Sequence, residues 1–283
     1  VDAERLTDSI CYHAEGPSWS DSWGGLRWVD MLAGDLLHLG EDGDVDRIET
    51  PSPVVACVRP RRQGGAVLAV EKGFALERAD GSVELLEDLW DGPVRMNEGS
   101  VAPDGSFLCG SMAYDQHEGG AEMWRLFPDL STRRIATGLT ISNGLAFSPD
   151  GTLAYYVDTP TGRVDVLDWD DERALVNRRP FSDLSAEEGG PDGLCLDADG
   201  HVWVAMNGGS AVLGLDALGS VVQRIEVGAR QVTACTFGGD DLATLFITTS
   251  RENLADDDDP AAGSLFAATP GVSGLGPGTA FAG

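Results

Sequence analysis

Apolar and polar positions alternate over short runs along this chain, and the runs are broken by turns carrying Asp or Gly, the pattern of β-strands rather than helices. Three segments share one grammar: RMNEGSVAPDGSFLCGSM from Arg95, ISNGLAFSPDGTLAYYVD from Ile141 and GGPDGLCLDADGHVWVAM from Gly189. A worn copy, TACTFGGDDLATLFITTS, begins at Thr233. Each reads as an apolar strand, a turn and a second apolar strand. The turn aspartates Asp104, Asp150 and Asp199 stand 46 and 49 residues apart, and a chain of 283 residues holds about six such units. That period suits a four-stranded propeller blade. HAEGPSWSDSWGGLRWVDMLAGDLLHLGEDGDVDRIET, from His13, repeats the grammar, and the stretch from Val54 to Leu89 supplies a degenerate second blade. Helical periodicity is nowhere sustained, and 37 glycines and 14 prolines punctuate the strands. The pattern predicts an all-β fold, a six-bladed β-propeller occupying residues 1–283 as one domain. A first strand around Leu6 to Tyr12 is expected to complete the last blade, because an open ring would leave exposed sheet edges.

Composition narrows the partners. Against 47 acidic residues stand 19 basic ones, a formal charge of -28, and Lys72 is the one lysine. Such a field repels nucleic-acid phosphates, anionic membranes and highly charged anionic substrates, and suits a small neutral molecule or a cation. No run of apolar residues is long enough to span a bilayer, and the opening VDAERLTDSI lacks a signal-peptide pattern. The expectation is a soluble, cytoplasmic protein, monomeric by default. Cys11, Cys57, Cys109, Cys195 and Cys235 are widely spaced, without a CxxC, and read as buried free thiols. The acidic run LADDDDPAAG from Leu254 reads as a solvated loop. Trp19, Trp28, Trp124 and Trp203 fall on strand phrases and read as blade core.

Chemistry enters through register. Asn97, Asn143 and Asp192 each stand seven residues before the turn aspartate of their repeat, and equal register in successive blades means equal position in space. NGLAF and DGLCL place a glycine directly after Asn143 and Asp192, and Glu15 opens a similar phrase, EGPSW, in looser register. Such residues sit at the mouth of the innermost strand, beside the axis. A ring of Glu, Asn, Asn and Asp offers hard oxygen donors, suited to calcium, magnesium or manganese. The alternative is that Asn, Asp and Gly only make turns before strands. His13, two residues before Glu15, reads as a hydrogen-bonded strand histidine or as a side chain pointing into the pocket. No GxSxG, HExxH or phosphate-cradling loop is present.

Over nearly its whole length, through AEGPSW, RMNEGSVAPDGSFLCGSM, ISNGLAFSPDG, GGPDGLCLDADGHVWVA and TACTFGG, the chain resembles the senescence marker protein (regucalcin), gluconolactonase and luciferin-regenerating enzyme family of six-bladed propellers. The resemblance implies that Glu15, Asn143 and Asp192 bind one divalent metal, calcium first, with zinc or manganese as alternatives. It further implies that Arg95 and Asn97, with Asp115 beyond the G-x-M strand, contact substrate. Where the family commonly has aspartate after the R-x-N phrase, this chain has Glu98, whose longer side chain is expected to reshape the pocket.

The implied reaction is hydrolysis of a small neutral sugar lactone to the aldonic acid. A metal held by three side chains keeps open positions and acts as a Lewis acid. Asp192 is the candidate base for the attacking water, and Arg95 and Asn97 would orient sugar hydroxyls. Two other readings stay open at this point: an organophosphate or ester hydrolase on the same axial metal, and a non-catalytic metabolite-binding propeller.

Overall fold

The computed structural model describes residues 1–40, 42–255, 258–276 and 278–283, and these form six four-stranded antiparallel sheets arranged as the blades of a propeller. Blades 1 to 5 are consecutive in sequence. Their innermost strands are Ala14–Ser20, Val55–Pro60, Val94–Val101, Ser142–Phe147 and Gly190–Leu196. Blade 2 covers the degenerate stretch, with four strands between Val55 and Leu85. Blade 6 runs outward from Val232–Gly238 through Thr244–Thr249 and Leu265–Ala268, and its outermost strand comes from the other end of the chain.

That closing strand is Glu4–Arg5, paired as Glu4 with Ala267 and Arg5 with Phe266. Closure therefore occurs as the sequence implies, but through residues 4 and 5 rather than Leu6 to Tyr12. The later residues turn inward instead: Cys11 is buried, and its amide bonds the Gly263 carbonyl at 3.0 Å. The acidic run lies in the loop before Leu265–Ala268, and its Asp256 and Asp257 fall outside the described residues.

Each sheet buries both faces against its neighbours, so the core is a set of apolar layers between blades. Val29 and Met31 of blade 1 pack with Val55 and Leu68 of blade 2 and with Met96 and Phe107 of blade 3. Trp203 of blade 5 meets Phe237 of blade 6 edge-on, with ring centroids 5.8 Å apart. The inner strands approach so closely that a Cβ on Gly144 would lie 2.7 Å from the Asp192 carbonyl oxygen, and one on Gly193 would lie 2.5 Å from the Ala234 Cβ. Only glycine fits there, which explains the N-G and D-G phrases. The cysteines are free, and four are buried, with Cys195 half-buried 3.7 Å from the Cys235 sulfur. Among the described residues no helix is long and apolar enough to cross a membrane.

Candidate active site

All six inner strands carry their first residues to one mouth of the axial channel. Their last residues, among them Trp19, Phe147 and Phe237, line a cavity of about 670 Å³ at the other. The site residues belong to the first mouth. In blades 3, 4 and 5 the pairing between the inner and second strands slips at Met96/Gly99, Ser142/Leu145 and Pro191/Leu194. These bulges contain Asn97, Asn143 and Asp192. A bulge frees a residue from the ladder and re-aims its side chain, here toward the axis. Blade 1 slips at Glu15/Ser18, with Glu15 itself still paired to Val29, which is the looser register seen in the sequence.

The entry to two of these strands is clamped by the aspartate ending LRWVD and AYYVD. Asp30 accepts hydrogen bonds from the Tyr12 and His13 amides at 3.0 and 2.9 Å. Asp158 accepts them from Thr140 and Ile141 at 3.2 and 2.9 Å. Both carboxylates are buried, so each fixes the backbone just before a site residue, Glu15 in one blade and Asn143 in the other.

A chain of hydrogen bonds then crosses from blade to blade around the ring. Arg95 Nη1 donates to Asn97 Oδ1 at 2.6 Å, and Asn97 Nδ2 donates to Asn143 Oδ1 at 2.8 Å. Asn143 Nδ2 donates to Thr159 Oγ1, and that hydroxyl donates to the Pro191 carbonyl, each at 2.8 Å. Asn207 Nδ2 donates to Asp192 Oδ2 at 2.9 Å, whereas Asp192 Oδ1 is buried with no hydrogen-bond partner. Glu15 Oε2 accepts the Gly16 amide at 3.0 Å. The network fixes the side-chain orientations of Asn143 and Asp192, and the Gly16 amide holds that of Glu15.

Electrostatics set two of these residues apart. Burial raises the Glu15 carboxyl well above the usual range, and the charges of Asp192 and Glu98 push it further. Asp192 is pushed up to about 7, first by burial, with Glu98 adding to the rise and the Asn207 bond opposing it. Buried carboxylates that repel one another, one with an orphaned oxygen, are relieved by a cation. Glu15, Asn143 and Asp192 together offer a donor set that could hold a hard divalent metal.

Of the residues assigned to substrate, Arg95 and Asn97 are buried and joined to each other. Among the described residues only Nη1 of the Arg95 guanidinium finds protein acceptors, and it also lies 2.8 Å from the Met31 sulfur. Its Nε and Nη2 are left for a ligand. Asp115 is brought to the same mouth, since it follows the strand whose Met112 pairs with Arg95, but it is exposed and bonds the His117 ring at 2.5 Å rather than Arg95 or Asn97. His13 is buried, hydrogen-bonded to Ser250 Oγ at 2.6 Å, and pushed down to about 3 by burial and by Arg95, so it is neutral. Its Nε2 nonetheless lies 3.9 Å from Glu15 Oε1, so both readings of this histidine hold in part.

Glu98 points away from the substrate side. It pairs with Arg59 at 2.7 Å and lines the cavity at the opposite mouth. Its influence on the site is the charge it places beneath Glu15 and Asp192, while the substrate mouth is shaped by other residues. Those are Met31, Glu71, Tyr114, Thr159, Gly208 and Ser250, each the residue directly after its blade's second strand or one step beyond it. Their shared position follows from strand pairing, and their differing types hid it in the sequence. Asn207, which directly follows the Val-Ala-Met end of a repeat, likewise gains its place only from the fold, where it holds Asp192.

The sequence pattern of the SMP-30/Gluconolactonase/LRE-like region matches residues 13–251. The chain is 35% identical to 6-deoxy-6-sulfogluconolactonase of Pseudomonas putida over 270 residues, 92% of each chain. It is 34% identical to regucalcin of Oryctolagus cuniculus over 294 residues, 98% of this chain and 97% of that one. A calcium-binding protein, regucalcin, of Agrobacterium tumefaciens has the same fold with a TM-score of 0.91 at 27% identity, covering 99% of this chain and 97% of that one. By sequence over most of its length and by fold, the chain belongs to the SMP-30/gluconolactonase/luciferin-regenerating enzyme family, which includes gluconolactonases.

Proposed function

We propose that this protein hydrolyses a small neutral sugar lactone to its aldonic acid, using one divalent metal held by Glu15, Asn143 and Asp192. The observation that carries the reading is Asp192: one oxygen is fixed by Asn207, the other is buried and unpartnered, and its charge is felt by Glu15. Family membership supports lactone chemistry, and the all-oxygen donor set favours calcium, with manganese or zinc as substitutes. Bound there, the cation supplies Lewis-acid polarisation of the lactone carbonyl.

The protein's own groups do the rest. Asp192, ionised next to a cation, accepts the proton of the attacking water as oxygen bonds to the carbonyl carbon. The free donors of Arg95 stabilise the negative charge that develops on the carbonyl oxygen. As the ring C–O bond breaks, the proton held by Asp192 passes to the leaving alkoxide, and the product is the open hydroxy acid. Asn97, locked between Arg95 and Asn143, sets the angle at which sugar hydroxyls meet the site.

Acid release from a panel of aldonolactones, run beside carboxyl esters and phosphotriesters, tests the reading. Turnover of one or more sugar lactones well above the other classes is expected. Preferred turnover of a phosphotriester would move the protein to the ester-hydrolase reading, and binding without turnover to the non-catalytic one.

A further inference from the structure

The far mouth of the axial channel carries a pair of thiols that the proposed hydrolysis does not use. Cys195 lies on the inner strand of blade 5 and Cys235 on that of blade 6, with their sulfurs 3.7 Å apart. Both line the cavity of about 670 Å³. Cys195 is half-buried, so a small solute in that cavity reaches it, whereas Cys235 is buried, its sulfur 3.6 Å from the Trp203 carbonyl oxygen. Among the described residues the other thiols lack access. Cys57 and Cys109 also neighbour each other, but both are sealed in the core, and Cys11 is buried.

The backbones around the pair are held in place. Cys195 pairs with Trp203 and Cys235 with Ile247 on the ladders of their own blades. Just before them the two inner strands nearly touch, since a Cβ on Gly193 would lie 2.5 Å from that of Ala234. A disulfide sets its sulfurs about 2.05 Å apart, so from 3.7 Å each has to travel about 0.8 Å, within reach of side-chain rotation. The bond would close a span of 40 residues (235 minus 195) that holds the three outer strands of blade 5. A cross-link over such a span removes chain entropy from the unfolded state.

We infer that Cys195 and Cys235 are a modification site, a dithiol that hydrogen peroxide converts to a reversible disulfide bracing blade 5 against blade 6. The Cys195 sulfur attacks one peroxide oxygen, the O–O bond breaks, and a sulfenic acid and one water form. The Cys235 sulfur then displaces the sulfenic oxygen as a second water. Two thiols and one peroxide become one disulfide and two waters, with the peroxide as the two-electron oxidant. Burial, reinforced by the neighbouring Cys235, holds the Cys195 thiol well above its usual range, so thiolate is scarce and the first step is slow.

The test treats reduced protein, freed of reductant, with hydrogen peroxide, then denatures it and alkylates the thiols that remain. Two of the five cysteines should escape alkylation, and an unreduced digest should hold the peptides of Cys195 and Cys235 joined. C195S and C235A, treated alike, should keep all their remaining thiols open. The linked wild type should melt several degrees higher than the reduced protein, a rise that dithiothreitol reverses and C195S does not show. Five alkylated cysteines after treatment overturn the inference, as does a link between Cys57 and Cys109 in place of the expected one. Oxidation of Cys195 to the sulfinic acid without a link overturns it too, and a link that leaves the melting temperature unchanged removes the bracing role. If C235A does not fold, the wild-type digest decides the pairing by itself.

Discussion

Asp192 holds its two oxygens differently, Oδ2 tied to Asn207 at 2.9 Å and Oδ1 buried without a partner. Asparagine at this position keeps one oxygen ligand but cannot accept a proton from water. Asp192→Asn should therefore stay folded, bind metal more weakly and lose more than about a hundredfold in kcat, the lower range for removing a general base. A kcat within a few-fold of wild type at saturating metal would remove Asp192 from that role. Asn97 shares the register of Asn143 and Asp192 yet takes its hydrogen bonds from Arg95 and gives them to Asn143 and the Ser142 carbonyl. A guanidinium bonded to Asn97 opposes a cation there, so Asn97 is assigned to substrate. Asn97→Ala should lower kcat/KM by about 10 to 200-fold, the scale of one lost polar contact, with metal affinity within a few-fold of wild type. Metal titration by calorimetry decides this: the few-fold change allows for the lost hydrogen bond to Asn143, and a large loss of affinity would make Asn97 a ligand.

At the scale of the strand, two devices place the site: a bulge at the start of the inner strand, and a carboxylate that clamps the chain entering it. Asp158→Ala would strand the buried amide of Thr140 and the half-buried amide of Ile141. The expected cost is about 1 to 3 kcal/mol per unmet buried group, read from urea unfolding. Metal affinity should fall as well, because Asn143 loses its fixed entry angle. Unchanged stability would show that the clamp is not needed. The bulged residues were legible in the sequence because three repeats keep an Asn or Asp at one distance from the turn aspartate, so position survived while strand sequence drifted. Glu15 was legible only through its phrase, because blade 1 shifts pairing one step later. The mouth residues Met31, Glu71, Thr159 and Ser250 were not legible. Each is a different residue type, and only the ladder shows that they are equivalent. The closing strand was misplaced for a related reason: Glu4 and Arg5 join the outer edge of blade 6 by backbone pairing and carry no apolar alternation. Of the apolar residues in the 6–12 stretch, Ile10 and Cys11 belong to the packing beneath it with Leu265, while Leu6 and Tyr12 stay exposed.

For the whole molecule, ring closure is what brings six strand ends to one axis. The ring is sealed at blade 6, where the Leu6 amide bonds the Leu265 carbonyl, while the Ala3 amide reaches back to the Glu226 carbonyl on the outermost strand of blade 5, each at 2.8 Å. Removing residues 1–7 would turn Leu265–Ala268 into a bare edge strand. The truncated protein should melt several degrees lower by calorimetry, on the order expected for a loss of about 1 to 2 kcal/mol in a chain of this size, and should associate by light scattering. An unchanged melting temperature would mean that the outermost pairing adds nothing to closure. The closed ring brings the oxygens of Glu15, Asn143 and Asp192 to one mouth, and lactone hydrolysis is proposed to depend on a cation held by them. The most direct test strips the protein with a strong chelator, verifies the loss by elemental analysis, and measures acid release from the best lactone before and after adding back calcium, manganese or zinc. Loss of turnover on stripping, restored to different extents by the three metals and not restored in Asp192→Asn, is the expected result, and full turnover by verified metal-free protein would contradict the account.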